Sequence, residues 1–191
     1  MLGFLQSRVR RLFWTLFYRS FGRVAFKSLG DGAVFEGWVD IPQRGGSIVI
    51  GPRVLLCRLV EFSVPPGGQL IIEEGAFIGR GVVVSAHCRV TIGKDTMIAE
   101  FVSIHDNDHK VSNPDRPIAE QGFLSQPLEI GRNCWIGAKA VLVRRSGMGD
   151  RCVLGAGAVL TKPLPPDSMA AGVPAQIMKQ RDVRSTDACL S

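Results

Sequence analysis

The chain has 191 residues, of which 46% are hydrophobic and 21% charged, with 22 glycines, 11 prolines and one tyrosine. This composition fits one compact domain and excludes a disordered chain or a coiled coil. Lys and Arg number 23 against 17 Asp and Glu. Six of the bases lie in residues 1–30, which contain no acid: Arg8, Arg10, Arg11, Arg19, Arg23 and Lys27. The remaining residues are balanced in charge, so a nucleic-acid-binding body is not expected.

Residues 1–30 are predicted to form a basic amphipathic helix that ends near Gly30. Aliphatic residues recur there at steps of three or four, or at a doubled step: Leu2, Leu5, Val9, Leu12, Leu16 and Val24. No apolar run is long enough to cross a bilayer, and the order of regions in a signal peptide is absent, so we expect a cytoplasmic protein. The bases and aromatic residues of segment 1–27 predict one of two roles. The helix either lies on an anionic membrane surface or caps the next structural unit.

Residues 31–162 follow a period of six, which neither a helix nor a simple strand has. Large apolar residues stand at Ile50, Leu56, Phe62, Ile72, Ile78, Val84 and Val90, then at Ile92, Ile98 and Ile104, and then at Ile130, Ile136, Leu142, Met148, Leu154 and Leu160. In the last series, the fourth residue after each of the first five members is small: Cys134, Ala140, Ser146, Cys152 and Ala158. This pattern predicts an all-β fold, a three-sided parallel β-helix in which each hexapeptide forms one face.

Two segments depart from this period. Residues 105–127 are polar and contain three prolines and a glycine, so we predict an excursion from the coil, where function is often located. Pro163, Pro165 and Pro166 are predicted to end the β-helix, which leaves 163–191 as a C-terminal segment with a mobile tail from Asp182. The five cysteines form no CxxC pair and are expected to be free, with Cys88, Cys134 and Cys152 packed at corners.

Two runs carry a family resemblance: IGRNCWIGAKAVLV (residues 130–143) and GAGAVLTKPLPPDSMAAGVPAQIMK (residues 155–179). They resemble the left-handed β-helix acyltransferases of the hexapeptide-repeat family, which include galactoside, maltose and serine acetyltransferases. The stretch RGVVVSAHCRVTIG (80–93), followed by IHDNDH (104–109), is similar to the branch that modifies bacterial surface polysaccharides. The resemblance covers residues 70–179. It implies a left-handed coil, a homotrimer, acetyl-CoA as the acyl donor and no metal.

The excursion supplies the candidate catalytic residues. His109 is the predicted general base, because imidazole titrates near neutral pH, and Asp106 and Asp108 are near enough in sequence to orient it. The resemblance places His109 at the last histidine of a DHDH-like motif. This chain has Asn107 where that motif carries its first histidine, so His105 is a possible substitute for it or an assistant to His109.

The resemblance also assigns a coenzyme A groove to Trp135, Gly137, Ala138, Ala156, Thr161, Lys162 and Lys179. Main-chain N–H groups at Ala138 and Ala156 would meet the thioester and pantetheine, and the two lysines would neutralise phosphate. Gly81 departs from the family pattern, because an Asn stands at the matching position of galactoside-type enzymes. Their small-sugar acceptors are therefore not expected here.

The predicted function is acetyl-CoA-dependent O-acetylation of a sugar hydroxyl on a cell-surface glycan or its lipid-linked precursor. Direct transfer is expected, with each site shared between subunits. Three alternatives remain open: an N-acetyltransferase on an amino sugar, a zinc enzyme of the γ-class carbonic anhydrase type that uses His87, His105 and His109, and an inactive β-helix scaffold. The spacing HxxxH, where that zinc family needs HxxxxH, weighs against the zinc enzyme.

Overall fold

A computed structural model describes residues 2–21, 25–43 and 45–181, with side chains from Arg8 onward except that of Phe21. The chain winds as a three-sided coil, passing in turn through three parallel sheets, A, B and C. The period-six prediction is confirmed, because large apolar residues of successive hexapeptides fill the axis of the coil and are almost fully buried. The left-handed sense of the coil stays an implication of the resemblance.

The sheets have the following members. Sheet A consists of β1 (Ser28–Leu29), β4 (Ser47–Ile50), β7 (Gln69–Ile72), β10 (Arg89–Ile92), β15 (Leu128–Ile130), β18 (Gly147–Met148) and β21 (Pro163–Leu164). Sheet B consists of β2 (Val34–Phe35), β5 (Leu55–Leu56), β8 (Phe77–Ile78), β11 (Met97–Ile98), β16 (Trp135–Ile136), β19 (Val153–Leu154), β22 (Ser168–Ala171) and β23 (Gln176–Gln180). Sheet C consists of β3 (Val39–Asp40), β6 (Val60–Ser63), β9 (Val83–Ser85), β12 (Ser103–His105), β17 (Val141–Leu142) and β20 (Val159–Leu160).

The predicted N-terminal helix is present as α1 (Leu2–Phe21), but it ends nine residues before Gly30. The physical reason lies in packing. Tyr18 stacks on Phe35 of the first coil and also contacts Phe26, so the chain must turn back after the helix to enter β1 at Ser28. Val24 lies outside the described residues. Within the described part of the chain, no helix is long and apolar enough to cross a membrane.

Helix α1 caps the open edge of the first coil. Inward-facing residues of the first strands have no preceding coil to accept their main-chain N–H groups. Phe35 N donates instead to Thr15 Oγ1 (3.1 Å), and Val39 N donates to the Tyr18 hydroxyl (2.9 Å). An ion pair between Arg11 and Glu36 adds a polar contact. The capping role predicted as one of two alternatives is therefore present in the structure.

The coil continues past residue 162, beyond the end that the prolines predicted. Strand β21 pairs with β18 in sheet A, and β22 pairs with β19 in sheet B, both in parallel. Pro163 is tolerated because outward-facing residues donate their N–H to the following coil, as Val141 N does to Ala158 O. Strand β21 is the last of sheet A, so the missing N–H of Pro163 leaves no acceptor unpaired. Strand β23 then covers the edge of β22 in antiparallel pairing. The tail from residue 182 lies outside the described residues.

The structure confirms the predictions for some of the cysteines and not for others. Cys57, Cys88, Cys134 and Cys152 are free thiols. Cys134 and Cys152 are buried at corners, as predicted, and their Sγ atoms lie 3.1 and 3.0 Å from the carbonyl oxygens of Gly149 and Pro165. Burial raises the pKa of the Cys134 thiol to about 11. Cys88 is only half-buried, and Cys189 lies outside the described residues.

Candidate functional site

The polar excursion leaves the coil at the corner between sheets C and A, directly after β12. It forms a hairpin of two antiparallel strands, β13 (Asn107–His109) and β14 (Phe123–Ser125), joined by a loop with a 3₁₀ turn at Ile118–Glu120. We call this corner the histidine edge. It consists of residues 85–88, 105–109, 143–146 and 161–162 of successive coils.

Asp106 anchors the base of the hairpin to the preceding coil. Its side chain is fully buried and accepts main-chain N–H groups from His87 (2.8 Å) and Cys88 (2.7 Å). Asn107 Nδ2 also donates to Asp106 Oδ1 (3.2 Å). A buried carboxylate with three donors is well satisfied, so Asp106 fixes the position of the hairpin.

Two further contacts clamp β13 from both sides. Asn107 Nδ2 donates to Ser85 Oγ of the preceding coil (2.8 Å). Asp108 Oδ2 accepts from Arg144 Nε of the following coil (2.7 Å), and the arginine side chain is only 13% exposed. Asn107 therefore serves as an anchor at the position where the family motif carries a histidine.

His109 projects at the end of β13 against an aromatic ring. The Phe123 ring centroid is 4.3 Å from that of His109 and 4.5 Å from that of His87. Phe123 thus joins a residue of the hairpin to a residue of the preceding coil, which holds His109 over the histidine edge. The His109 side chain is exposed. Among the described residues, no side chain or main-chain group forms a hydrogen bond with its ring.

His105 has a different environment. Its Nε2 shares a hydrogen bond with Ser103 Oγ at 2.7 Å, and its ring is partly buried. Burial lowers the pKa of His105 below its ordinary value of 6.5, and this exceeds the opposing effect of the Asp106 and Asp108 carboxylates. His105 is therefore neutral at pH 7 and can act on the serine hydroxyl.

These positions change two of the roles expected from sequence. Neither Asp106 nor Asp108 binds the ring of His109, because Asp106 is used by main-chain donors and Asp108 by an arginine. The three histidines do not converge on one point, since Phe123 lies between the rings of His87 and His109. In the part of the chain that the structure describes, no three His, Cys, Asp or Glu side chains could together hold a metal ion.

Four residues of this site were not identified from the sequence: Ser85, Ser103, Phe123 and Arg144. Ser85 and Ser103 occupy outward positions of sheet C, where the period-six pattern accepts almost any side chain. Phe123 is separated from His109 by the hairpin loop, and Arg144 belongs to the next coil. The short run Phe123–Ser125, with two large apolar residues just before the chain returns to the coil, is the only sequence signal for the second strand of the hairpin.

The predicted coenzyme residues fall into separate groups. Trp135 lies on the outer face of β16 and is 54% exposed, and it is followed at the next corner by Gly137 and Ala138. Ala156 occupies the same corner one coil later. We call this corner, residues 137–140 and 155–158 between sheets B and C, the alanine edge.

The alanine edge combines a closely packed main chain with two unused main-chain donors. A Cβ on Gly137 would lie 2.5 Å from Ala156 N, so only glycine fits there. Ala140 N and Ala158 N are used inside the turns, where they donate to Gly137 O and Gly155 O. Within the described residues, the N–H groups of Ala138 and Ala156 have no acceptor. They are therefore available to polar oxygens of a bound molecule.

The remaining three predicted coenzyme residues lie elsewhere. Thr161 and Lys162 are exposed on the histidine edge, directly after β20. Lys179 is exposed on β23, opposite Met169 at the end of sheet B. A single chain thus does not bring all seven residues into one groove.

Comparison with known proteins agrees with this architecture. A family model described as the hexapeptide repeat of succinyl-transferase matches residues 127–162. Nodulation protein L of Rhizobium meliloti (strain 1021) is 33% identical over 152 residues, which cover 78% of each chain. Galactoside O-acetyltransferase of Escherichia coli (strain K12) is 38% identical over 114 residues, 60% of this chain and 55% of that protein. The first three curated relatives are matched over only 39% to 61% of their own length.

A solved structure shares the fold at low sequence identity. A mutant of AntD, an N-acyltransferase from Bacillus cereus in complex with dTDP and coenzyme A, superposes with a TM-score of 0.72 at 18% identity. The match covers 86% of this chain and 89% of that one. This likeness concerns the fold alone. The 33% identity to nodulation protein L over 78% of both chains shows that the chain belongs to the hexapeptide-repeat acyltransferase family.

Proposed function

We propose that the protein is an acetyl-CoA-dependent O-acetyltransferase that acts on a sugar hydroxyl of a cell-surface glycan or its precursor. The observation that carries the proposal is an exposed histidine, His109, held by Phe123 at one edge of a hexapeptide-repeat coil. The free N–H groups at the alanine edge add a place for the donor. The O-acetyl activity named for the galactoside relative supports the choice of acceptor group.

In the proposed reaction, His109 removes the proton from the acceptor hydroxyl as its oxygen attacks the thioester carbonyl. The C–S bond then breaks, and the proton passes from the imidazolium to the departing coenzyme thiolate. N–H groups at Ala138 or Ala156 stabilise the oxyanion that forms in between. Lys162 and Lys179 are proposed to neutralise coenzyme phosphate, with Trp135, Gly137 and Thr161 lining the groove.

We further propose a homotrimer in which each site is shared between two subunits. Ala138 and Arg144 are six positions apart, so the alanine and histidine edges of one chain lie up to about 20 Å apart across sheet C. A general base must lie within hydrogen-bond distance of the attacking hydroxyl. The alanine edge of a neighbouring subunit would remove this separation. Exposed apolar side chains next to that edge, Met97, Phe101 and Trp135, favour burial against another chain.

The primary test is free thiol release from acetyl-CoA in the presence of candidate sugar acceptors. His109→Ala should lower turnover by roughly 10²- to 10⁴-fold, as expected for loss of a general base. Because the side chain is exposed, the thermal melting curve should remain that of the wild type. Near-wild-type turnover of His109→Ala would refute the proposed base. Acetylation of amino sugars alone would favour the N-acetyltransferase, and no thiol release with any acceptor would favour the scaffold.

A second mechanism is favoured by one specific observation, the hydrogen bond between Ser103 Oγ and His105 Nε2. In this route Ser103 Oγ attacks the thioester carbonyl while His105 takes its proton, the C–S bond breaks, and the coenzyme leaves as the thiol with that proton. The acceptor hydroxyl then attacks the acetyl-serine ester with His105 as its base, and the serine hydroxyl is restored. This route requires that Ser103→Ala be inactive and that acetylated protein accumulate, by mass spectrometry, when acceptor is omitted. Direct transfer requires that Ser103→Ala retain turnover and that no acetylated protein form.

We place the protein in the cytoplasm, at the inner face of the cytoplasmic membrane, where a lipid-linked glycan precursor would be accessible. The basic N-terminal helix, which contains no acidic residue, supports this location.

A further inference from the structure

Helix α1 has a second apolar face, which the coil does not cover. Val9, Leu12, Phe13 and Leu16 are between 54% and 62% exposed, although all four are large and apolar. Their spacing of three and four residues places them along one side of the helix. In the sequence, Leu2 and Leu5 continue the same spacing towards the start of the helix.

The other side of the helix already has a partner. Trp14, Phe17 and Tyr18 pack on the first coil, where Trp14 and Phe17 contact Trp38 and Tyr18 contacts Phe35. These contacts of the inner face therefore account for the stabilisation of the first coil by the helix. The Phe13 ring touches the edge of this cap, with its centroid 5.2 Å from that of Trp14. Folding alone gives no reason for four large apolar side chains to be more than half exposed to water.

Charge indicates what covers the exposed face. Residues are spaced about 100° around a helix, which places Arg8 and Arg19 along one border of the face. The helix contains no Asp or Glu. Arg11 points towards the coil and pairs with Glu36, and the exposed Arg19 lies 3.9 Å from the fully exposed Asp31. An apolar strip bordered by arginines is typical of a helix that lies in the interface of an anionic bilayer.

We infer that Val9, Leu12, Phe13 and Leu16 insert into an anionic membrane surface while the opposite face of α1 stays packed on the coil. The inference rests on the proposed membrane location and deepens it by naming the docking face. The helix covers the first coil, whereas the hairpin leaves the β-helix only after β12. The histidine edge therefore remains accessible to acceptors when the helix is bound.

The test measures co-flotation of the full chain with vesicles. Vesicles of phosphatidylcholine mixed with phosphatidylglycerol should carry the protein at low salt, whereas pure phosphatidylcholine vesicles should carry much less, and added salt should release it. The double variant Leu12→Gln, Leu16→Gln removes two apolar groups from the face, and glutamine preserves the helix. It should bind the anionic vesicles at least about tenfold more weakly.

Matched measurements separate this inference from the proposed enzyme activity. Leu59→Gln replaces an equally exposed leucine at a corner of the coil and should float like the wild type. The double variant should keep its melting temperature and, with a water-soluble acceptor, its thiol release. Wild-type flotation of the double variant, or no flotation of the wild-type chain, would overturn the docking face even if acetyl transfer is fully active. Self-association that the double variant abolishes, without vesicle binding, would instead assign the face to a second copy.

Discussion

Asp106 shows how a residue's role depends on which partners it finds in space. In the sequence it lies three residues before His109, which suggests a carboxylate that orients the base. In the structure it is fully buried and accepts two main-chain N–H groups from residues 18 and 19 positions earlier. The hairpin that carries His109 is thus held at its base by a charge-assisted anchor.

Replacing Asp106 by Asn tests this anchor. An amide offers one acceptor oxygen and an NH₂ group, so either His87 N or Cys88 N would face a donor in place of an acceptor. We expect a loss of about 1–3 kcal/mol in the free energy of unfolding, measured with urea. Turnover should also fall, because the hairpin would lose its fixed position.

The matched control is Asp115→Asn in the exposed part of the same excursion. It makes the same chemical change without a buried donor, and we expect the stability to change by no more than about 0.5 kcal/mol. Equal stability of the Asp106 variant and the wild type would show that water replaces the lost acceptor and that the anchor is not needed.

At the scale of elements, α1 completes a coil that cannot close its own first edge. A repeat protein stacks each coil on the next, so its terminal coils expose unpaired strand edges. Here side chains replace the absent coil, since Thr15 and Tyr18 accept the N–H groups of Phe35 and Val39. At the other end, Pro163 and the antiparallel strand β23 limit the exposed edge.

Tyr18→Phe isolates one of these capping bonds. The ring is kept, so its stacking on Phe35 with a 4.3 Å centroid distance should persist. Val39 N loses its acceptor, and an unsatisfied buried donor costs about 1–3 kcal/mol. The measurement is the midpoint of urea unfolding. Ser20→Ala removes an exposed hydroxyl from the same helix and serves as the control. If both variants unfold at the wild-type midpoint, the Tyr18 hydroxyl does not stabilise the first coil.

For the whole molecule, the central proposal is a site assembled from two chains. Coexpression of His109→Ala with Ala156→Trp, each inactive alone, should restore part of the turnover in mixed trimers. Some interfaces would then combine an intact histidine edge with an intact alanine edge. Subunit composition is checked by native mass spectrometry with distinguishable tags. Confirmed mixed trimers without activity would place both edges of a site within one chain, and a monomer in solution would reject the assembly.

The coil, its inward-facing apolar residues and its family can all be predicted from the amino-acid sequence. A hexapeptide repeats one packing requirement, a large side chain on the axis and a small one at a corner, so Ile136 and Leu154 meet the same surroundings one coil apart. A packing requirement that repeats at a fixed spacing can be recognised in the sequence without a structure. The helix and the position of the excursion were also predicted. The helix, however, ends at Phe21 and not near Gly30, and the coil continues beyond residue 162.

The contacts that hold the candidate site could not be predicted in this way, because they join residues far apart in the sequence. The partners of Asp108 and His109, namely Arg144 and Phe123, come from a neighbouring coil and from the far strand of the hairpin. No period relates these residues, because outward side chains on a β-helix are not constrained by the core. The roles of the two faces of α1 also depend on tertiary contacts. The helical pattern predicts an apolar helix, but only its contacts show which face the coil covers and which one remains exposed to solvent.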